Sequence, residues 1–339
     1  KLITPALELF SQVVAQPSFP AAPLARIKNQ LLAGFEYDKQ NPGKLASLAL
    51  FEQLYGAHPY AHSSSGTADS VPSISRQQLQ EFQRNYYTAG NAQIALVGDL
   101  SIAQAKAISE KVSARLPQGS PAAVTPEPVK TAASNTHIEF PSSQTHILLA
   151  QLSVKRGDPD YPALFLGNQI LGGGGFGTRL MEEVREKRGL TYGIYSSFSP
   201  MQASGPFMIN VQTRAQLSQA TLQLVQDLLR DYLENGPTAA ELADAKRESL
   251  GSFPLTAASN SAIVGQLAAI GFYDMPLSWM SDFMQEVQAL TVEQVHAAFQ
   301  RHLNPEQLVI VTVGPTVEQL PLPEPVDRST VSTPAGRQH

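Results

Sequence analysis

The sequence of 339 residues contains no cysteine. That excludes disulfides, thiolate zinc sites and a cysteine nucleophile. No apolar stretch reaches the roughly 18 residues that a membrane-spanning helix needs, so no membrane span is predicted. There is no basic run either, and 24 Lys and Arg against 29 Asp and Glu give a net charge of −5. Binding nucleic acid through its phosphates is therefore not expected. Two catalytic signatures are also missing. No Gly-x-Ser-x-Gly marks a nucleophile elbow, and no Gly-Lys-Ser/Thr follows a glycine-rich stretch.

Hydrophobic residues make up 42% of the chain, enough for packed cores, and the length suits two domains of ordinary size. The first residue is Lys1, and residues 1–16 already read as a helix, with Leu7, Phe10, Val13 and Val14 on one stripe. A chain that starts in mid-pattern is expected to have lost its natural N-terminus and any signal peptide with it. Residues 321–339 are Pro-rich and polar, and are read as a tail.

The sequence repeats itself. KNQLLAGF (28–35) resembles KRESLGSF (246–253), and EFQRNYYTAGNAQIALVGD (81–99) resembles AFQRHLNPEQLVIVTVGP (298–315). The offsets are 218 from Lys28 to Lys246, 217 from Phe82 to Phe299 and 216 from Gly98 to Gly314. Such steadiness argues for two homologous halves. The first spans 1–116 and the second 137–320, joined by an aperiodic Pro/Ala/Ser/Thr-rich linker at 117–136. The same offset puts the counterpart of residue 137 about 80 residues ahead of Lys1. The first half is therefore expected to be truncated at its N-terminus.

In the second half, 137–140, 146–154, 190–199, 205–213 and 307–313 read as strands. Asp158 is placed to cap a helix through YPALFLGNQIL, which the glycines 172–175 end. A helix over 178–188 stops at Gly189, and further helices follow over 215–234, 238–252, 256–273 and 290–302. Strands around a long helical run predict an α+β fold with helices on one sheet face.

GGGGFG (172–177) satisfies Gly-x-Gly-x-x-Gly, but a helix precedes it where dinucleotide binding needs a strand, so it reads as a flexible turn. His58 and His62 in HPYAH are four apart, yet Pro59 and the following SSSGT make this a loop with no third ligand. His137, His146, His296 and His302 read as surface or core histidines. Glu182, Glu183 and Glu186 share a helix with Arg179, Arg185 and Lys187, and read as a solvated, ion-paired face. REKRGLTY (185–192) is more informative. Arg185 ends a helix, Gly189 turns the chain and Tyr192 starts a strand, so the two side chains can point into one cleft. A guanidinium grips a carbonyl or carboxylate with fixed geometry, and a phenol donates to a developing oxyanion. The plainer alternative is a capping Arg and a packed Tyr.

The chain resembles the pitrilysin/insulinase-type (inverzincin) zinc peptidases, which include the mitochondrial processing peptidase and its bacterial relatives. QPSFP (16–20), YGAHPY (55–60), SGT (65–67) and FQRNYY…IALVGD (82–99) carry the likeness in the first half. DPDYPAL…ILGGGGFGTRL…VREKRGLTY carries it in the second. The resemblance implies two halves, each a mixed, mainly antiparallel sheet with helices, closing as a clamshell on an unstructured peptide. It implies zinc in one half, held by both His of His-x-x-Glu-His and by a downstream Glu. It also implies an Arg and a Tyr from the opposing half, which fall on Arg185 and Tyr192.

This sequence departs from that pattern. His-x-x-Glu-His occurs nowhere in it. LARIKNQLLAGF (24–35) lies over the downstream-ligand segment, with the ligand Glu position on Gly34 and an accessory Glu position on Ile27. Glu36 is two residues off, on the opposite helix face.

The expectation is a non-catalytic subunit of a two-chain zinc metalloendopeptidase, inactive alone. It binds no metal itself. It pairs as a heterodimer with a homologous zinc-bearing subunit, and Arg185 and Tyr192 act there in trans on substrate. The alternatives are a non-hydrolytic scaffold subunit and a self-sufficient zinc peptidase whose motif lies ahead of Lys1. For compartment the sequence leans to the bacterial periplasm, with the cytosol open.

Overall fold

The computed structural model describes residues 3–326. They form two compact units. One holds the residues up to Gln40, Ser63–Pro126 and Gly251–Asp282. The other holds Asn41–His62, Glu127–Leu250 and the residues from Phe283 on. Each unit takes residues from both sides of the 117–136 linker.

The second unit is built on a five-stranded sheet of order β1-β5-β2-β4-β3. Its strands are β1 (Ser134–Glu139), β2 (Gln144–Leu152), β3 (Ile194–Phe198), β4 (Pro206–Arg214) and β5 (Val309–Gly314). Only β1 and β5 run parallel. Side chains alternate across the pleat, so each strand feeds two faces. Leu148 and Ala150 of β2, with Val309, Val311 and Val313 of β5, meet Ala46, Leu50 and Leu54 of the helix Pro42–Tyr55. Asn41 caps that helix by accepting from the Lys44 N–H at 3.1 Å.

The opposite face carries Ile147, Leu149, Ile194, Phe207, Ile209 and Val211, all buried. Against it lie the helices Tyr161–Asn168, Ser218–Asn235 and Val292–His302. Gly167 is required there, because a Cβ would stand 2.4 Å from the Phe299 ring. Tyr232 packs edge-on to Phe299 and donates its hydroxyl to the Gly167 carbonyl at 2.9 Å. The sheet thus has helices on both faces, not the single face the sequence predicts. The added cover is a helix from the first half of the sequence.

The first unit is helical among the described residues, with Ile3–Ala15, Ala21–Asp38, Arg76–Tyr86, Ile102–Ser113 and Asn260–Phe272. Gln83 donates to the carbonyls of Val14 and Ala15 at 3.1 and 3.0 Å, tying two of these helices together. The sheet expected for the first half is not seen in the described residues. Residues 92–97, which the repeat aligns with the strand at 307–313, make no ladder there. A strand is held by a neighbour's backbone, and none lies alongside among the described residues. The stripe expected on the opening helix is only partly covered: Leu7 and Val14 are half-buried, whereas Phe10 is 53% and Val13 60% exposed.

Several local expectations shift. The first strand begins at Ser134, inside the expected linker, and β3 begins only at Ile194. The helix Trp279–Ala289 falls between the helices that the sequence predicts at 256–273 and 290–302. Asp158 is not a helix cap. It accepts from the Asp160 N–H at 2.9 Å, and the helix starts at Tyr161. The first residues of the expected tail are tied down, since the Val326 N–H donates to the Lys187 carbonyl at 2.7 Å. The rest of that tail, 327–339, lies outside the described residues.

Candidate functional site

The segment from Thr178 to Gly193 positions the candidate site. Thr178 Oγ1 accepts from the Met181 N–H at 3.4 Å and starts a short helical stretch. Leu180, Met181 and Val184 are buried and anchor it to the core. From Met181 to Glu186 the helix widens to a π turn, in which the Lys187 N–H donates to the Glu182 carbonyl at 2.8 Å. Such turns insert one residue and re-aim the side chains that follow, often at functional sites. The closing bonds are wider by a residue too. Gly189 N–H reaches the Arg185 carbonyl and Leu190 N–H the Val184 carbonyl. Gly189 has φ +59, a conformation that costs glycine little.

Most cations of the segment are committed to carboxylates. Arg179 holds Glu241 with two bonds of 2.7 and 2.8 Å and lies 5.0 Å over the Tyr232 ring. Arg179, helped by the Thr238 N–H and hydroxyl, holds the Glu241 carboxyl down at about 2. Lys187 and Arg188 both reach Glu183 at 2.6 Å. Arg185 is different. Its nearest carboxylate is Glu186 at 3.6 Å, and its guanidinium sits 4.6 Å over the exposed Phe176 ring from the glycine-rich turn.

Tyr192 does not start a strand. It lies in a turn closed by Thr191, whose hydroxyl donates to the Gly193 carbonyl at 2.9 Å and accepts from the Gly193 N–H at 3.2 Å. That turn leaves Tyr192 92% exposed, with no hydrogen-bond partner among the described residues. Arg185 and Tyr192 nonetheless line one open cavity of about 460 Å³, with Glu186, Thr191, Gln144 and Arg214. A cavity offering a guanidinium and a free phenol is suited to polarising a carbonyl oxygen. Sequence reasoning missed Gln144 and Arg214. The cross-strand register that sets them opposite each other, at the ends of β2 and β4, is a long-range pairing no local pattern encodes.

Gly34 and Ile27 lie on the exposed face of Ala21–Asp38 in the first unit. Seven residues are nearly two turns, so they share that face. The resemblance expects carboxylate support for a zinc ion there. Neither side chain has a donor atom, and a Cβ built on Gly34 meets nothing within 4 Å. Glu36 is exposed and paired with Lys39 at 2.7 Å. These residues do not fit the metal.

The other histidine expectations have simple outcomes. His58 is buried and accepts from the Tyr60 N–H at 3.1 Å, in a short turn rather than a helix. His302 has more company than anticipated, since it lies with Asp158 and Asp160. Asp160, however, is already gripped by Arg301 at 2.7 and 2.9 Å. That guanidinium chiefly holds the Asp160 carboxyl below its usual range. The group clasps the end of one helix to the start of another.

Residues 73–249 match the family model described as the peptidase M16 inactive domain, and the chain belongs to that family. A crystal structure of a peptidase M16 inactive domain from Pseudomonas fluorescens is 63% identical, with a TM-score of 0.92, over 94% of this chain and 76% of that one. A curated relative, the non-peptidase homolog YmxG of Helicobacter pylori, is 26% identical over 91% of this chain and 72% of its own length. The crystal structure of a protease from Helicobacter pylori shares the fold at a TM-score of 0.84 and 19% identity, over 93% of this chain and 77% of that one.

Proposed function

We propose that this chain is the non-catalytic subunit of a two-chain zinc metalloendopeptidase. It binds an unstructured peptide and presents Arg185 and Tyr192 to a scissile carbonyl held at a homologous partner. The observation that carries this reading is the Arg185–Tyr192 cavity, whose phenol has no partner among the described residues. Zinc and the activation of water belong to the partner chain. The work of this chain is to orient the carbonyl through Arg185 and to donate from Tyr192 Oη as negative charge builds on the oxygen.

The test is Tyr192→Phe in the reconstituted pair. Loss of one oxyanion donor cuts kcat by about 10²–10³. KM should change little, because the donation matters most in the transition state. A mutant pair that cleaves peptides at the full rate contradicts the role.

A further inference from the structure

The cavity around Arg185 and Tyr192 carries more donors than a carbonyl needs. Arg214 ends β4 on its wall, exposed and with no carboxylate partner among the described residues. Directly opposite in the ladder is Gln144. Its side-chain oxygen already accepts from Gln212 Nε2 at 2.6 Å, which leaves its amide nitrogen as the group with bonding capacity to spare. The Thr191 hydroxyl is used up inside its own turn. Four donor groups therefore line the cavity (Arg185, Tyr192, Arg214 and the Gln144 amide), against one carboxylate, Glu186. That carboxylate sits beside Arg185, 3.6 Å away. An anion is thus disfavoured beside Arg185, and Arg214 is the guanidinium of the cavity without a carboxylate of its own among the described residues.

We infer that Arg214, assisted by the Gln144 amide, is a specificity-determining residue that selects peptides bearing a carboxylate next to the bond presented to Arg185 and Tyr192. The inference rests on the peptide-binding reading above and names the class of peptide that site prefers. Either an acidic side chain or a free C-terminus supplies the same group, and a guanidinium receives both in the same two-pronged geometry.

The experiment uses the full chain and three labelled, unstructured decapeptides followed by fluorescence anisotropy. One is neutral and amidated, one carries a single glutamate and is amidated, and one is neutral with a free C-terminus. The expected result is about tenfold tighter binding of one carboxylate peptide than of the neutral one, the size of a single charge-assisted hydrogen bond. Which of the two gains identifies the source. In Arg214→Gln the ratio should fall to about one, and in Arg214→Lys part of it should survive. Equal binding of all three peptides, or a preference that persists in Arg214→Gln, overturns the inference. If Arg185→Ala still weakens the neutral peptide in that case, the peptide-binding reading stands without it. If no peptide binds, both fall together.

Discussion

Two segments of this chain fall where the family resemblance expects functional groups, and they differ in what they offer. Thr178–Gly193 presents a guanidinium and a free phenol to a cavity, on a turn anchored by buried Leu180, Met181 and Val184. Ala21–Asp38 presents Ile27 and Gly34 on an exposed helix face, with no donor from either. The first segment is anchored in the core and carries a phenol with no partner among the described residues. The second has no such group at Ile27 or Gly34.

The comparison is sharpened most by the Tyr192→Phe kinetics described above. The same substitution should leave stability within about 0.5 kcal/mol, since the side chain is 92% exposed. A large drop in Tm would mean Tyr192 is structural after all. Leu50→Ala should show the reverse pattern. Leu50 is fully buried between its helix and the sheet, and its truncation should cost about 2–5 kcal/mol in urea unfolding. A smaller cost would mean that the helix Pro42–Tyr55 is a loose cover, not part of the core.

The Arg179–Glu241 pair tests how firmly the Thr178–Gly193 segment is held. The Glu241 carboxyl is lowered from 4.5 to about 2 in the folded chain. A depressed carboxylate stabilises the fold fully above its unfolded value. Its contribution fades as pH falls from 4.5 to about 2. Partial solvent exposure discounts the effect to about 1–2 kcal/mol. Acid unfolding of Glu241→Gln should lack that component between these values, and an unchanged acid profile would remove the pair from the account. The smallest effect belongs to the other segment. Gly34 lies in a helix with open space around it, so Gly34→Ala should stabilise by about 0.5–1 kcal/mol, read as a small rise in Tm. Destabilisation would mean that the face is occupied in the protein.

Much of the second unit is legible in the sequence, because its strands and helices follow simple periods and end on glycines such as Gly189. The Arg185–Tyr192 pair is legible too, since one turn brings the residues together over seven positions. What escapes is set at long range. Arg214 and Gln144 join the cavity only through strand register. The helix Pro42–Tyr55 covers a sheet from the far end of the chain. Residues 92–97 have a strand's composition but no neighbouring strand among the described residues. Tyr192 looks like a strand residue by pattern, yet Thr191 and Gly193 bond each other and hold it in a turn.

The most direct measurement is the zinc content of the intact protein, purified without chelator and without any partner chain. With no carboxylate at Gly34 or Ile27, the account predicts less than about 0.1 zinc per chain. About one tightly held zinc per chain would contradict it and favour a peptidase that carries its own metal.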